Sequence, residues 1–570
     1  MYFLKNLLAS LIGLFLFSLI VIFGILLIVF FSQKDIEVKE NSVLKISIKQ
    51  NLVDRVNSSE FNLTNSNPNF NGLFSIQKAI ESASKDPLIK AIYLEIGELK
   101  GGVANVSSLK RSIEKVKKSG KSVITYSDGL SQIGYYLACS SDTIFINHLS
   151  FVEWKGLGAK LLYFKSMLNK IGIQAEPVRV GKFKSAIEPF ISDSISPENF
   201  HQVKEMLTDI WSTLLQDVSL KRGTKNEELD EIANEYGYLM PDEALKFGLI
   251  DGVKYEDEVF NVVEYLVGDK PSYISVEKYN KSNEHAFEVF KKVVVVNAEG
   301  EIIDANSETD VSGIKYGKIL DDVLKDQSVE ALVLRINSPG GSALASEKLW
   351  RKLKLIQQKI PVIVSMGNVA ASGGYYLASA GDVILAEKNT ITGSIGVFGL
   401  MFNVAELNNS IGLNVENIKT NDFSDFPAFD RGLNNKEKER MKEGVKAIYK
   451  TFIERVQDGR GMSREDVEGL AQGRVWSGVQ AKRLGLVDSI GGLGDAISIA
   501  VEKANLDKYK IVHLPKELSP VEAIVNRLSS KNEVSLPAPF KQYNYMIKNP
   551  DFFKAFSRPQ ARLPFIMEIN

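Results

Sequence analysis

The chain repeats itself at a nearly constant spacing, and this constrains its fold more than any other feature of the sequence. Three pairs of segments lie 240 residues apart and share their apolar positions: 91–96 with 331–336, 134–138 with 374–378, and 171–176 with 411–416. The spacing drifts to 237 residues in a fourth pair, 244–251 with 481–488. A register that persists over this length indicates two copies of one domain.

The two copies are predicted to be α/β domains that cover residues 42–270 and 290–505. In each copy an apolar, β-branched run (KAIYLEI or EALVLRI) precedes a Gly-containing loop, a helix of about 15 residues and a second apolar run. Strand–helix–strand units of this kind form parallel sheets. The last segment, 517–570, is interrupted by prolines and has no repeat partner, so it is an extension of unknown role.

Residues 7–31 form a run of 25 positions without a charged side chain. A helix of that length crosses the roughly 30 Å hydrocarbon core of a bilayer with some tilt. A cleaved signal peptide is the alternative, but its apolar region is usually about 7–15 residues long. Because Lys5 precedes the run, the positive-inside bias favours a cytoplasmic amino terminus. We therefore expect residues 1–35 to be a single-pass membrane anchor, with the body outside the cytoplasmic membrane.

Charge and cysteine content exclude several classes of protein. The net charge is −1, with 69 basic and 70 acidic residues, so nothing in the balance points to nucleic acid as a partner. The single cysteine, Cys139, excludes an intrachain disulfide framework and argues against a cysteine-ligated metal cluster.

Where two copies share a fold, the positions at which they differ point to the chemistry. Ser372 in the second copy aligns with Gln132 in the first, and Lys184 in the first copy aligns with Ser424 in the second. The second copy also has NSPGGS at 337–342, where the first has GELKGG. Each copy therefore holds one candidate catalytic residue that the other lacks.

Ser372 is the candidate nucleophile. It follows the apolar run PVIVSM and a loop of small residues. It is expected to open a helix, whose free amide groups and positive dipole end would stabilise an oxyanion. Gly373 would let a substrate backbone approach closely. The alternative interpretations are an ordinary N-cap serine at 372 and a plain tight turn at 338–342.

A serine nucleophile needs a base. The four histidines, His148, His201, His285 and His513, all lie away from both motifs, which argues against a Ser-His-Asp triad. Lys184 lies in FKSAIEPF, where apolar neighbours flank it. Burial there would lower its pKa towards neutrality and make it a base. The alternative interpretation is a surface lysine.

Four segments together resemble the signal peptide peptidase A (protease IV) family, serine peptidase family S49, in its long two-repeat form. They are SPGGS (338–342), AASGGYYLA (370–378), TGSIGV (392–397) and FKSAIEPF (183–190). The resemblance extends over nearly the whole chain. It implies an α/β fold with two tandem ClpP/crotonase-like domains behind an N-terminal transmembrane helix.

The same resemblance implies roles for five residues. Ser372 would be the nucleophile and Lys184 the general base of a Ser/Lys dyad that joins the two copies. The backbone N–H groups of Gly341 and Gly373 would form the oxyanion hole, and Ser394 would orient the lysine. The sequence leaves open whether the dyad forms within one chain or between neighbouring chains.

The resemblance also implies partners and a location. The substrates would be signal peptides left after secretory proteins mature, and other apolar peptides, hydrolysed without a metal or cofactor. The protein would be a homotetramer on the outer, periplasmic face of the bacterial cytoplasmic membrane, held in the lipid through residues 7–31.

Two other functions are compatible with the residues. A crotonase-like enzyme acting on an acyl thioester would use the oxyanion hole without needing Ser372 and Lys184 together. A catalytically silent scaffold of the same fold would organise membrane proteins. The presence of both Ser372 and Lys184 argues against the scaffold.

Overall fold

The structure is a computed structural model of the chain. It describes residues 2–31, 37–49, 52–55, 72–268, 270–283, 290–307, 309–516 and 559–562. Most of the predicted extension, and the predicted anchor's last residues, lie outside the described residues.

Helix α1 (Tyr2–Phe31) covers the predicted anchor. The structure does not describe the side chains of many of its residues. Leu11, Phe15 and Phe17 are among the residues whose side chains are described, and these are exposed. Among the fully described residues, no helix combines the length and the apolarity that a bilayer crossing requires. The transmembrane helix predicted at 7–31 is therefore unsupported by the described residues and stays a prediction.

The first copy alternates strands and helices. Its elements are β1 (Ser42–Ile48), α2 (Leu73–Lys85), β2 (Ile89–Ile96), α3 (Val103–Lys118), β3 (Ser122–Ser127), α4 (Gln132–Ala138), β4 (Thr143–Ile146), β5 (Val152–Trp154), α5 (Lys165–Lys170), β6 (Gln174–Val180), α6 (Glu188–Ile191), α7 (Pro197–Arg222), α8 (Asn226–Glu235), β7 (Gly237–Leu239), α9 (Pro241–Lys246), β8 (Gly252–Val253), α10 (Glu256–Val267), β9 (Ser272–Ser275) and α11 (Val276–Ser282).

The second copy repeats the central alternation of strands and helices with additional short strands, and a last strand comes from the extension. Its elements are β10 (Lys292–Glu299), β11 (Ile302–Ile303), β12 (Val311–Ser312), α12 (Gly313–Lys325), β13 (Val329–Ser338), β14 (Gly340–Ser342), α13 (Ala343–Gln357), β15 (Val362–Ala371), α14 (Gly373–Ala378), β16 (Val383–Ala386), β17 (Ile391–Gly393), β18 (Val397–Asn403), α15 (Ala405–Ser410), α16 (Asn435–Arg460), α17 (Arg464–Leu470), β19 (Val475–Ser477), α18 (Gly478–Arg483), β20 (Ser489–Ile490), α19 (Leu493–Lys503), β21 (Lys510–Leu514) and β22 (Gln560–Arg562).

Each copy is built around a central sheet. The first sheet has the strand order β8-β4-β3-β2-β1-β9, and its pairs are parallel. The second has the order β19-β17-β15-β13-β10-β21, with β16 beside β15 and β20 beside β16, and only its β17–β19 pair is antiparallel. The predictions of an α/β class and of a tandem repeat are confirmed.

Local sequence explains these elements. The apolar runs form buried central strands, as expected where helices cover both faces of a parallel sheet. The long helices α7 and α16 begin at Ser196 and Asn434, whose side chains accept a hydrogen bond from the backbone N–H three residues on. They end at Gly223 and Gly461, which adopt the left-handed conformation that glycine tolerates best.

A third sheet joins the two copies. Its strand order is β12-β11-β14-β22-β18-β6, so β6 of the first copy and β22 of the extension complete a sheet made otherwise by the second copy. Strands β6 and β18 pair antiparallel from Gln174 opposite Asn403 to Val180 opposite Val397. This pairing carries the segment after Val180 into the second copy.

A buried ion pair also connects the copies. Arg335 on β13 donates two hydrogen bonds of 2.8 Å to the carboxylate of Asp54, and its side chain is 1% exposed. The same guanidinium donates to Asn105 Oδ1 at 2.9 Å, to Ser365 Oγ at 3.0 Å and to the Met366 carbonyl at 2.8 Å. These five hydrogen bonds satisfy the N–H donors of the buried guanidinium, and Asp54 supplies the opposite charge.

Candidate active site

Ser372 lies between β15 and α14, at the turn that the sequence predicts. Its backbone is strained, with φ of 55° in a region that non-glycine residues rarely adopt. The turn is fixed by a hydrogen bond from its N–H to the Gly393 carbonyl at 2.8 Å. Its side chain does not cap α14, so the alternative of an ordinary N-cap serine is wrong. The hydroxyl is free to make other contacts.

Lys184 meets this serine across the two copies of one chain. Its Nζ lies 2.8 Å from Ser372 Oγ, 3.0 Å from Ser394 Oγ and 3.2 Å from the Ser394 carbonyl oxygen. All three side chains are fully buried. The structure therefore brings together, within one chain, three of the residues that the sequence singled out.

Two glycines let the lysine side chain reach this position. A Cβ added to Gly473 would lie 2.6 Å from Lys184 Cβ, and one added to Gly396 would lie 3.3 Å from Lys184 Cδ. The backbone is held on the same side by a hydrogen bond from the Phe183 N–H to the Gln472 carbonyl at 3.0 Å. Sequence analysis missed both glycines, because nothing in one sequence links them to a lysine so far along the chain.

Burial lowers the pKa of the Lys184 ammonium well below its ordinary value, and no carboxylate in the described part of the chain opposes the shift. Glu188, four residues on, turns away from the amine. Its carboxylate accepts hydrogen bonds from Ser196 Oγ at 2.6 Å and from Asn199 Nδ2 at 3.0 Å. The lysine is therefore in an environment that favours the neutral amine.

Ser394 has the geometry of an orienting group. Its backbone adopts a φ of 51°, and its N–H donates to the Arg474 carbonyl at 2.7 Å. With its position fixed in this way, its hydroxyl and carbonyl both face Lys184 Nζ. The first copy has Trp154 at the aligned position, which packs in the core instead.

The predicted oxyanion donors lie on either side of the serine turn. Gly341 is on β14 with a φ of 150°, and Gly373 opens α14. Neither position has room for a side chain. A Cβ at Gly341 would lie 2.1 Å from the Ile302 carbonyl oxygen, and one at Gly373 would lie 2.7 Å from Ser346 Oγ. The role of these N–H groups stays a prediction.

The first copy has no such site. Gln132, which aligns with Ser372, accepts hydrogen bonds from the N–H groups of Lys155 and Gly156 at 2.8 and 2.9 Å and donates to the Gly156 carbonyl. Ser424, which aligns with Lys184, is exposed and donates to the Asn421 carbonyl. The two copies are complementary, as the alignment predicted.

The three described histidines make their contacts with residues other than the dyad. His148 stacks on Tyr255, His201 pairs with Glu205, and His513 packs against Phe74. His285 lies outside the described residues. In the part of the chain that is described, no group of three or more His, Cys, Asp or Glu side chains could hold a metal ion.

Strand β22 is a further feature of the site that the sequence did not predict. It comes from the extension, and it lies between β14 and β18 beside the serine turn. The four residues between Pro559 and Pro564 carry no strand pattern, so no sequence signal marked it.

Known proteins resemble this chain over most of its length. The model of peptidase family S49 matches residues 115–270 and 354–507. The chloroplastic serine protease SPPA of Arabidopsis thaliana is 33% identical over 512 residues, covering 86% of this chain and 73% of that protein. Protease 4 of Haemophilus influenzae is 36% identical over 453 residues, covering 76% of this chain and 73% of that protein.

A further relative and one solved structure complete the comparison. Protease 4 of Salmonella typhi is 30% identical over 519 residues, covering 87% of this chain and 84% of that protein. A ClpP1 mutant from Listeria monocytogenes matches 36% of this chain and 94% of its own at 19% identity, with a TM-score of 0.23, which is too low to support an inference. The matches in sequence extend through both copies. The chain therefore belongs to peptidase family S49 and is a serine-type peptidase.

Proposed function

We propose that the protein is an endopeptidase in which Ser372 is the nucleophile and Lys184 the general base. The observation that carries the proposal is the 2.8 Å contact between Ser372 Oγ and a fully buried lysine amine. Among the described residues, no carboxylate holds that amine in its charged form. A neutral lysine in hydrogen-bond contact with a serine hydroxyl is the arrangement that base activation requires.

The reaction follows from this geometry. Neutral Lys184 takes the proton of Ser372 as Oγ attacks the substrate carbonyl carbon. The N–H groups of Gly341 and Gly373 hold the oxyanion. Lysine then returns its proton to the departing amine as the C–N bond breaks. Water, activated by the same lysine, hydrolyses the acyl-serine ester and restores the enzyme.

Ser394 acts as a positioning residue in this scheme. Its hydroxyl and carbonyl lie 3.0 and 3.2 Å from Lys184 Nζ, so both accept hydrogen bonds from the amine. With these contacts made, the lone pair of the amine faces Ser372. Ser394 therefore orients the amine, whereas burial lowers the pKa of the amine.

The substrates we propose are apolar peptides, including the remnants of signal peptides. A strand between β14 and β18 would lie beside Phe398, Leu400 and Phe402, which belong to one buried apolar cluster. Binding as an added strand supplies backbone hydrogen bonds whatever the side chains are. The apolar side chains of Phe398, Leu400 and Phe402 would then favour peptides with apolar side chains.

The pH dependence of hydrolysis tests the proposed base. We expect kcat/KM to rise with pH and to level off well below the usual lysine range, because only the neutral amine accepts the serine proton. Burial lowers the pKa of Lys184, so the limb should follow that group. The measurement is the pH–rate profile of an apolar peptide substrate.

Glu188→Gln is the matched control for this profile. Its carboxylate bonds Ser196 and Asn199 and not the amine, so the variant should leave the limb in place. A limb that disappears when one of the four histidines is replaced would assign the base to histidine and overturn the dyad.

We also propose that α1 anchors the protein in the cytoplasmic membrane, with the catalytic body on the extracytoplasmic side. Exposed apolar side chains such as Leu11, Phe15, Phe17 and Ile20 support this, because water contact with so many of them is unfavourable. Deletion of residues 1–35 should release a soluble, active peptidase. A truncated protein that loses its circular dichroism signal would show that α1 is required for folding.

A homotetramer is the assembly we propose for the body. Support comes from apolar side chains that are exposed in the single chain, among them Met167, Ile171, Ile411, Leu413 and Ile418. Large contiguous areas of exposed apolar side chains mark protein–protein interaction sites. Light scattering by the truncated protein measures the number of copies.

The two alternative functions make different demands on the site. A crotonase-like enzyme has no need of a lysine against Ser372, and a silent scaffold has no need of either residue. Peptide hydrolysis that depends on both side chains would exclude both alternatives.

A further inference from the structure

The backbone folds into a tight turn around Lys184. Lys184 has a φ of −78° and a ψ of 80°, and the Ser185 N–H donates to the Phe183 carbonyl at 2.9 Å. These are the features of an inverse γ-turn with Lys184 at its centre. One hydrogen bond contributes less free energy than the conformational entropy lost when three residues are fixed. The turn that presents the lysine therefore depends on contacts from other segments.

Gln202 of α7 supplies such contacts to the residues on both sides of Lys184. Its Nε2 donates to the Phe183 carbonyl at 3.1 Å and to Ser185 Oγ at 3.1 Å. Ser185 Oγ donates in turn to Asn199 Oδ1 at 2.9 Å, and Gln202 Nε2 lies 3.0 Å from the same oxygen. Ser185, Asn199 and Gln202 are at most 3% exposed, so water does not compete for these hydrogen bonds.

The oxygen of the same carboxamide reaches the second copy. Gln202 Oε1 accepts a hydrogen bond from the Val475 N–H at 3.4 Å. The preceding carbonyl, that of Arg474, accepts the N–H of Ser394 at 2.7 Å, and Ser394 Oγ contacts Lys184 Nζ. One side chain therefore connects the turn that carries the base with the segment that holds the orienting serine.

The second copy has a different residue at the position of this glutamine. Helices α7 and α16 have their N-caps 238 residues apart, and their C-terminal glycines have the same spacing. At that spacing Arg440 aligns with Gln202. The Arg440 side chain is 72% exposed and pairs with Glu443 on its own helix. The buried glutamine thus belongs to the copy that supplies the lysine.

We propose that Gln202 is a positioning residue for peptide hydrolysis, which holds the turn around Lys184 in the geometry that places the amine against Ser372. This inference rests on the proposed Ser/Lys mechanism. Gln202 acts through Phe183 and Ser185, the two neighbours of the base. Without its hydrogen bonds the turn would relax, and a displacement of about 1 Å at a reacting group can cost about 100-fold in rate.

Relaxation of the turn would also change the titration of the amine. Burial lowers the pKa of Lys184, and an amine that moves towards water regains solvation of its charged form, so its pKa would rise. The charged groups on the surrounding elements have partners of their own, since Glu188 pairs with Arg179 and Glu205 pairs with Arg474. The loss of activity should therefore be greatest below the rising limb of the pH–rate profile, where fewer amines are neutral, and smallest on its plateau.

The test is Gln202→Met, which keeps the length of the side chain and removes its donor and its acceptor. We expect kcat for an apolar peptide to fall by about 10–100-fold, with KM within about twofold of the wild type and the limb moved to higher pH. Ser185→Ala removes one of the contacts and should cause a smaller change in the same direction. Gln216→Met is the matched control, because Gln216 is exposed on the same helix, and it should keep the wild-type kcat and limb.

End-point titration with a covalent serine-directed probe counts the folded active sites of each variant. A Gln202→Met protein with normal kcat per site and an unmoved limb would overturn the positioning role, whether its number of sites is normal or reduced. If that variant does not fold, Ser185→Ala decides, and an unmoved limb there would overturn the role. In these outcomes the wild type keeps its limb and the proposed function stands, whereas a wild type without a rising limb would overturn both.

Discussion

Ser372→Ala and Lys184→Met are each expected to lower kcat/KM for an apolar peptide by at least about 10⁴-fold. The two side chains act as one unit, since the serine hydroxyl is a weak nucleophile until a base takes its proton. Methionine suits position 184 because the lysine is fully buried and an unbranched apolar side chain fills a similar volume. The double variant should be little worse than either single variant.

Lys182→Met is the matched control, because Lys182 lies two residues away and is exposed. It should keep wild-type turnover, and circular dichroism should show that all of these variants are folded. Lys184→Met with near-normal turnover would remove the lysine from the mechanism.

A second control uses the first copy. Gln132→Ser on a Ser372→Ala background should recover no activity, because the residue aligned with the lysine is the exposed Ser424. Recovered hydrolysis would contradict the division of roles between the copies.

The sequence alone was sufficient to single out Ser372 and Lys184, whose side chains the structure brings into contact. Ser372 follows an apolar strand that was recognisable from its β-branched residues, and the internal repeat supplied Gln132 as its counterpart. Comparison of the two copies singled out Ser372 and Lys184, because each lies in a motif whose aligned position in the other copy has a residue of different chemistry. This is why a dyad separated by 188 residues could be proposed at all.

The path by which Lys184 reaches Ser372 could not be predicted. It depends on the pairing of β6, from the first copy, with β18 of the second copy. The sequence of a seven-residue strand does not specify which other strand it pairs with. The strained φ of Ser372 and Ser394 is likewise set by contacts from distant segments. Strand β22 was missed for the same reason, since its three residues are ordered only by the strands on either side.

In the proposed mechanism, the division of the site between two copies makes activity depend on the way they pack together. Lys184 arrives from the first copy and Ser372 from the second, so a shift of 1 Å between the copies would open their 2.8 Å contact. Contacts that hold the copies together are thus also contacts that hold the dyad. The most buried of the charged ones is the pair formed by Arg335 and Asp54.

Asp54→Ala is expected to lower the free energy of unfolding by about 3–5 kcal/mol, because it leaves the buried guanidinium of Arg335 without its counter-charge. Both side chains are at most 5% exposed, so water cannot compensate for the loss. Urea unfolding on a Ser372→Ala background measures the effect without self-hydrolysis. In the active background, the same variant should also lower kcat, since the copies carry the two halves of the dyad.

An exposed ion pair provides the control for this prediction. Glu81 and Lys85 are 3.1 Å apart with side chains 74% and 75% exposed, and Glu81→Ala should change the free energy of unfolding by no more than about 0.5 kcal/mol. Asp54→Leu combined with Arg335→Met should recover much of the lost stability, because it removes both buried charges together. If Asp54→Ala proved as mild as Glu81→Ala, the ion pair would not be what holds the copies in register.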